Sequence, residues 1–137
     1  MNGDGLQRGI YSKLVGSSAL MSKIKGVYAD VPQALDSEDE SNFPFVTIGQ
    51  DTLTGWDTKT TEGTIALCQI DIWSRSRNLL EVKEIGSEIV DALNDMSLTI
   101  PSASHVLTKV ESVTYTRDPD GKTKRGMLMA RVWFTRP

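Results

Sequence analysis

Reactive chemistry is what this chain has least of. Cysteine and histidine occur once each, as Cys68 and His105. One thiol excludes an internal disulfide framework and a cysteine-rich zinc site. Cys68 stands inside an apolar run, where a small buried hydrophobe is its expected role. His105 has no second ligand or orienting acid at helical or strand spacing, so neither a metal centre nor a catalytic triad is legible around it. Gly3-Asp4-Gly5 is the nearest approach to a glycine-rich phosphate cradle, and it follows no strand. The sequence therefore nominates no catalytic, metal-binding or cofactor-binding residue, and no cofactor.

Long apolar runs and an excess of positive charge are missing too. No stretch approaches the roughly 20 apolar residues of a membrane helix, which argues against a membrane partner. The amino terminus shows no basic segment followed by an apolar one, so synthesis in a reducing cytoplasm is the expectation. Lys and Arg total 15 against 18 Asp and Glu, a formal charge of −3. That balance lacks the basic signature of a general nucleic-acid binder. With 137 residues and 39% hydrophobic content, residues 1–137 read as one domain. Such a chain buries about two-thirds of its unfolded surface, enough for a core.

What is present is well-patterned secondary structure. Leu6, Ile10 and Leu14 recur every four residues and predict a helix from about Gly5 to Val15, with Asp4 as cap and Gly16 as stop. A short helical turn through Leu20, Met21 and Ile24 and a brief extended piece at Val27-Tyr28 follow. Phe43-Pro44-Phe45-Val46-Thr47-Ile48-Gly49 predicts a strand with its proline at the start. The stretch from Thr64 to Trp73 predicts another, apolar on both faces over part of its length and hence covered on two sides. Leu79, Val82, Ile85, Ile89 and Leu93 form one face of a long helix. Asn78 is its expected cap, and Glu81 is placed to reach back to that cap.

A short piece at Leu98-Thr99-Ile100 precedes a long strand, Val106 to Arg117. Its alternation changes phase near Glu111-Ser112, which predicts a bulge. Asp118-Pro119-Asp120-Gly121 is a turn signal, and a final strand runs through Met127 to Phe134. The order α-β-β-α-β-β predicts an α+β fold, a mostly antiparallel sheet with helices packed on it.

Three surface regions stand out. In residues 36–42, the carboxylates Asp36, Glu38, Asp39 and Glu40 repel one another and predict an exposed acidic loop. The central glycine and terminal glutamate of a calcium loop are absent from it. The hairpin turn at 117–126 carries Asp118, Asp120, Lys122, Lys124 and Arg125, a basic cluster partly cancelled by its aspartates. Two readings of it stand side by side: phosphate contact, or solvated lysines that discourage edge pairing. Trp56 and Asp57 lie in the threonine-rich connection from Gly55 to Gly63. There the tryptophan either anchors a protein interface or folds back over the sheet.

The chain resembles the phage tail-completion proteins, the small tail-terminator or tail-to-head joining family. The resemblance is carried by Val27-Tyr28 with Asp30-Val31-Pro32, Phe43-Pro44-Phe45-Val46-Thr47-Ile48, Ile70-Asp71-Ile72-Trp73-Ser74, and Glu88-Ile89-Val90-Asp91-Ala92-Leu93. It implies a structural, non-enzymatic virion protein of the tail or neck, made in the bacterial host's cytoplasm. It further implies a ring of copies, typically six, that caps the tail tube, ends its polymerisation and joins it to the head. The implied partners are the chain itself, the tail tube protein and a head-completion or connector protein, with DNA passing through without specific binding. The acidic loop and the 117–126 hairpin depart from the family pattern and are the expected contact regions. Another neck or minor tail component is the second reading. A small cytosolic nucleic-acid-binding or enzymatic domain is the third.

Overall fold

The computed structural model describes residues 3–29, 40–94, 100 and 103–136. Helix α1 spans Gly3–Val15, so Asp4 sits inside its first turn, where a carboxylate favours the positive helix end. The short α2, Ser18–Met21, is capped by Ser17, whose Oγ accepts the Leu20 N–H at 3.2 Å. Strand β1 is only Val27–Tyr28. After a single 3-10 turn at Glu40–Asn42 and a cis Phe43–Pro44 peptide, β2 runs from Phe45 to Gly55. Then come β3 (Gly63–Ser74), α3 (Leu80–Asn94), β4 (Ser104–Arg117) and β5 (Lys124–Thr135).

The strands form one sheet in the order β1-β2-β3-β5-β4. Pairing is antiparallel except for β1, which lies parallel to β2 along Val46 and Thr47. The α+β class and the mostly antiparallel sheet agree with the sequence reading. The element order is longer than expected, because α2 and β1 are formed elements.

Helices α1, α2 and α3 share one face of the sheet. Leu6, Ile10 and Leu14 of α1 and Val82, Ile85, Ile89 and Leu93 of α3 are buried against Val46, Ile48, Ala66, Cys68, Ile70, Ile72, Leu128, Ala130 and Val132. Burying a leucine or isoleucine fully contributes about 1.5–3 kcal/mol, so this seam dominates the stability. Gly86 lies where α3 crosses Tyr115, and a Cβ there would stand 2.1 Å from the tyrosine hydroxyl.

The expectation that β3 is covered on two sides is corrected. Its residues alternate between buried and half-buried, with Ile65, Leu67, Gln69 and Trp73 partly open. Among the described residues, no helix covers that second face. The capping of α3 is also simpler than expected. Asn78 Oδ1 accepts the Leu80 N–H at 2.9 Å, while Glu81 accepts from Ser74 Oγ at 2.8 Å and so ties the helix to β3. The bulge predicted near Glu111 is present, since Val110 and Ser112 pair with the consecutive residues Ala130 and Met129. A second bulge at Val106 had no sequence signal.

Candidate functional site

The residues singled out in the sequence fall at opposite ends of the sheet. Gly63 pairs with Thr135 at one end of β5, and Ser74 pairs with Lys124 at the other. The Trp56–Asp57 connection therefore stands at one end and the 118–123 turn at the other, separated by β3 and β5, each of 12 residues. At about 3.4 Å per residue that is roughly 40 Å. Asp36, Glu38, Asp39 and the expected Leu98-Thr99 piece lie outside the described residues, and Glu40 belongs to the 3-10 turn.

The β4–β5 turn is a rigid unit. Asp120 Oδ1 accepts the N–H groups of Lys122 at 2.9 Å and Thr123 at 2.8 Å, and Oδ2 accepts the Thr123 hydroxyl at 2.7 Å. These donors, with Thr123's backbone N–H first, depress the Asp120 pKa to about 2. Gly121 takes a φ of +75°, and its N–H returns to the Asp118 carbonyl at 3.1 Å. Arg75 fastens the turn to the β3–α3 connection. Its Nε donates to Thr123 Oγ1 at 3.0 Å while its guanidinium lies 4.5 Å from the Phe43 ring centroid.

Of the basic residues placed in this hairpin, Lys122 is exposed. Lys124 is not a solvated hairpin lysine: it is 6% exposed, and its Nζ donates to the Lys122 carbonyl at 3.1 Å. Arg125 likewise belongs to the sheet. It pairs with Asp71 at 3.1 Å and lies over the Trp73 ring at 4.8 Å.

At the other end stands Trp56, whose backbone N–H donates to the Gly63 carbonyl at 2.9 Å. It is half-buried and folds over the hairpin base, where a Cβ on Gly63 would stand 2.5 Å from the indole. Asp57 Oδ1 accepts the Gly63 N–H at 3.2 Å, and Thr58 closes the loop by donating its N–H to the Thr61 carbonyl at 2.8 Å. The exposed tip, 58–62, presents threonines, Lys59 and the Glu62–Arg136 pair at 3.2 Å.

Between the two ends lies a surface that sequence reasoning missed, the open sheet face. Phe45 and Trp73 stack there with centroids 6.4 Å apart, and Trp73 Nε1 donates to Thr47 Oγ1 at 3.1 Å. Met127, Met129, Arg131 and Trp133 of β5 continue it, half-buried, and Arg131 pairs with Glu111. Leu107, opposite Trp133, is 52% exposed. The one available signal was the alternation of β5, whose methionine and tryptophan positions share a parity with Arg125 and Arg131.

Among the described residues, nothing in this arrangement assembles a reaction centre. His105 Nε2 stands 2.6 Å from Thr108 Oγ1, and burial lowers its pKa. Cys68 lies beside Asp51; burial first, then the neighbouring carboxylate, pushes the thiol pKa far up, which makes it a poor nucleophile. Among the described residues no group of His, Cys, Asp or Glu is placed to hold a metal ion.

A family model described as tail completion protein gp17 matches residues 8–135. Among curated proteins, tail completion protein gp17 of Bacillus phage SPP1 is 27% identical over 89 residues, covering 65% of this chain and 66% of that protein. The aligned part is thus just under two-thirds of that relative's length. Among solved structures, a chain of the virion of a native gene transfer agent particle superposes with a TM-score of 0.86 at 18% identity, covering 98% of this chain and 97% of that one. The structure of the SPP1 gp17 protein superposes with a TM-score of 0.59 at 23% identity, covering 94% and 88%. Identities this low make these two a likeness of fold.

Proposed function

The chain belongs to the tail completion protein gp17 family, and from that premise we propose that it caps the tail tube, ends tube polymerisation and forms the joint to the head. The family is structural and not enzymatic, so the chain acts by the surfaces it presents to its neighbours. One geometric observation carries the reading furthest. The two hairpin ends project from opposite ends of one rigid sheet, so a single subunit meets one neighbour at each end. The rigid, Asp120-braced turn with Lys122 and Asp118 serves one contact. The threonine-rich tip beside Trp56 and Asp57 serves the other.

Copies of the chain close into a ring of six around the DNA path. Six copies at −3 each carry a formal charge of −18, which disfavours retention of DNA in transit. The acidic residues Asp36, Glu38, Asp39 and Glu40 are the proposed lining of that path. The virion, at the tail or neck, is accordingly its place of work.

The experiment is to add purified chain to tail tube subunits that are polymerising, and to follow tube length by electron microscopy. Capping predicts short tubes with the chain at one end only. Tubes that elongate unchanged in the presence of bound chain contradict the capping role.

A further inference from the structure

The four long strands form an antiparallel block, β2-β3-β5-β4, and only its two outer sides lack full neighbours. On one side β1 covers just Val46 and Thr47 of β2, so among the described residues nothing pairs with 51–55 from outside. On the other side, among the described residues, β4 is the edge strand throughout. Its first part is protected, by bulges at Val106 and Glu111 and by Asn94 Oδ1, which accepts the Val110 N–H at 2.9 Å. Residues 112–117 carry neither device.

The phase of both free edges follows from the hairpin hydrogen bonds. Trp56 N–H donates to the Gly63 carbonyl at 2.9 Å, and Asp118 N–H to the Thr123 carbonyl at 2.8 Å. Alternation from these pairs leaves the backbone groups of 51, 53 and 55 and of 113, 115 and 117 pointing outward. Strands β2 and β4 run in opposite directions. A second copy, related by rotation about a common axis, therefore offers its β2 antiparallel to the first copy's β4.

One register matches chemistry as well as phase. Arg117 opposite Asp51 sets Thr116 against Thr52, Tyr115 against Leu53, Thr114 against Thr54 and Val113 against Gly55. Tyr115 and Leu53 both pack against the core on the helix side of the sheet. Asp51 Oδ1 is buried without a hydrogen-bond partner, and Arg117 is exposed with no ion pair among the described residues. Opposite charges, threonine pairs and aromatic-aliphatic pairs are each favourable across strands.

We propose that residues 113–117 of one copy add as a strand to residues 51–55 of the next, joining copies head to tail through a continuous sheet. The junction rests on the tail-assembly reading and specifies the surface by which copies meet. Its geometry is compatible with closure. Arg117 shares a row with Ser74 and Asp51 a row with Cys68, six residues apart along β3. A shift of about 20 Å along the strands, against about 19 Å across four of them, tilts the strands roughly 45° to the ring axis. Closed barrels have tilts of about 35–45°. Being heterologous, such a contact makes rings when the rotation closes.

The test is the cysteine pair T52C and T116C in particles that incorporate the chain. These positions face each other in a non-hydrogen-bonded pair, with Cα atoms about 4.5 Å apart, within disulfide reach. Cys68 is buried and does not compete. Oxidation is expected to remove most of the monomer band from purified tails and replace it with covalent multimers. The out-of-register pair T52C and S112C should stay monomeric. Tails that contain T52C/T116C but yield only monomer overturn the junction and leave the tail-assembly reading standing, as does equal cross-linking by both pairs. Absence of the unmodified chain from purified tails overturns both.

Discussion

Single residues hold the two hairpin ends in shape, and each makes a distinct prediction. Asp120 is exposed, and its depressed pKa comes from donors that exist only in the folded turn. The stability it contributes is present above the unfolded carboxylate value of about 3.9 and is lost as pH falls through about 2. Denaturant titrations should show Asp120→Ala less stable than the parent at pH 6 and matched to it well below pH 2. Gly63 sits under Trp56, and a Cβ would lie 2.6 Å from that residue's backbone oxygen, which cannot step aside. Gly63→Ala should therefore cost about 1–3 kcal/mol, read as a lower urea midpoint. Trp56→Ala leaves the core seam untouched; it should keep the native circular dichroism spectrum while weakening assembly in light scattering. Collapse of its fold would show that the indole belongs to the core.

At the scale of elements, the α3 seam is the fold's main support. Ile89 is fully buried against the sheet, so Ile89→Asp places an unpaired carboxylate there and should destabilise by about 4 kcal/mol or more. Thermal denaturation would record either an unfolded chain or a steep fall in midpoint. This helix was legible in the sequence because Leu79, Val82, Ile85, Ile89 and Leu93 keep the 3.6-residue period. The Glu111 bulge was legible for a related reason, since an extra residue inverts the parity of a strand. The open face was not. Ile65 and Leu67 are apolar yet half-exposed, and composition alone does not separate a strand covered twice from one that keeps apolar residues for a partner. Lys124 turns inward because its strand parity, and not its charge, sets its side of the sheet, which a basic cluster in the sequence does not reveal.

For the whole molecule, the family is visible in short motifs spread along the chain, whereas the surfaces that do the assembling depend on which residues share an end or an edge. Trp56 and Lys122, both contact candidates in the sequence, are separated by the length of the sheet. Arg117 and Asp51 belong together only when a second copy is placed beside the first. The central claim is that this domain works by ending a tail and joining it to a head. Electron microscopy of particles made without the chain tests that claim most directly. Tails of excess and variable length, unattached to heads, are the expected result; tails of normal length joined to filled heads would contradict it.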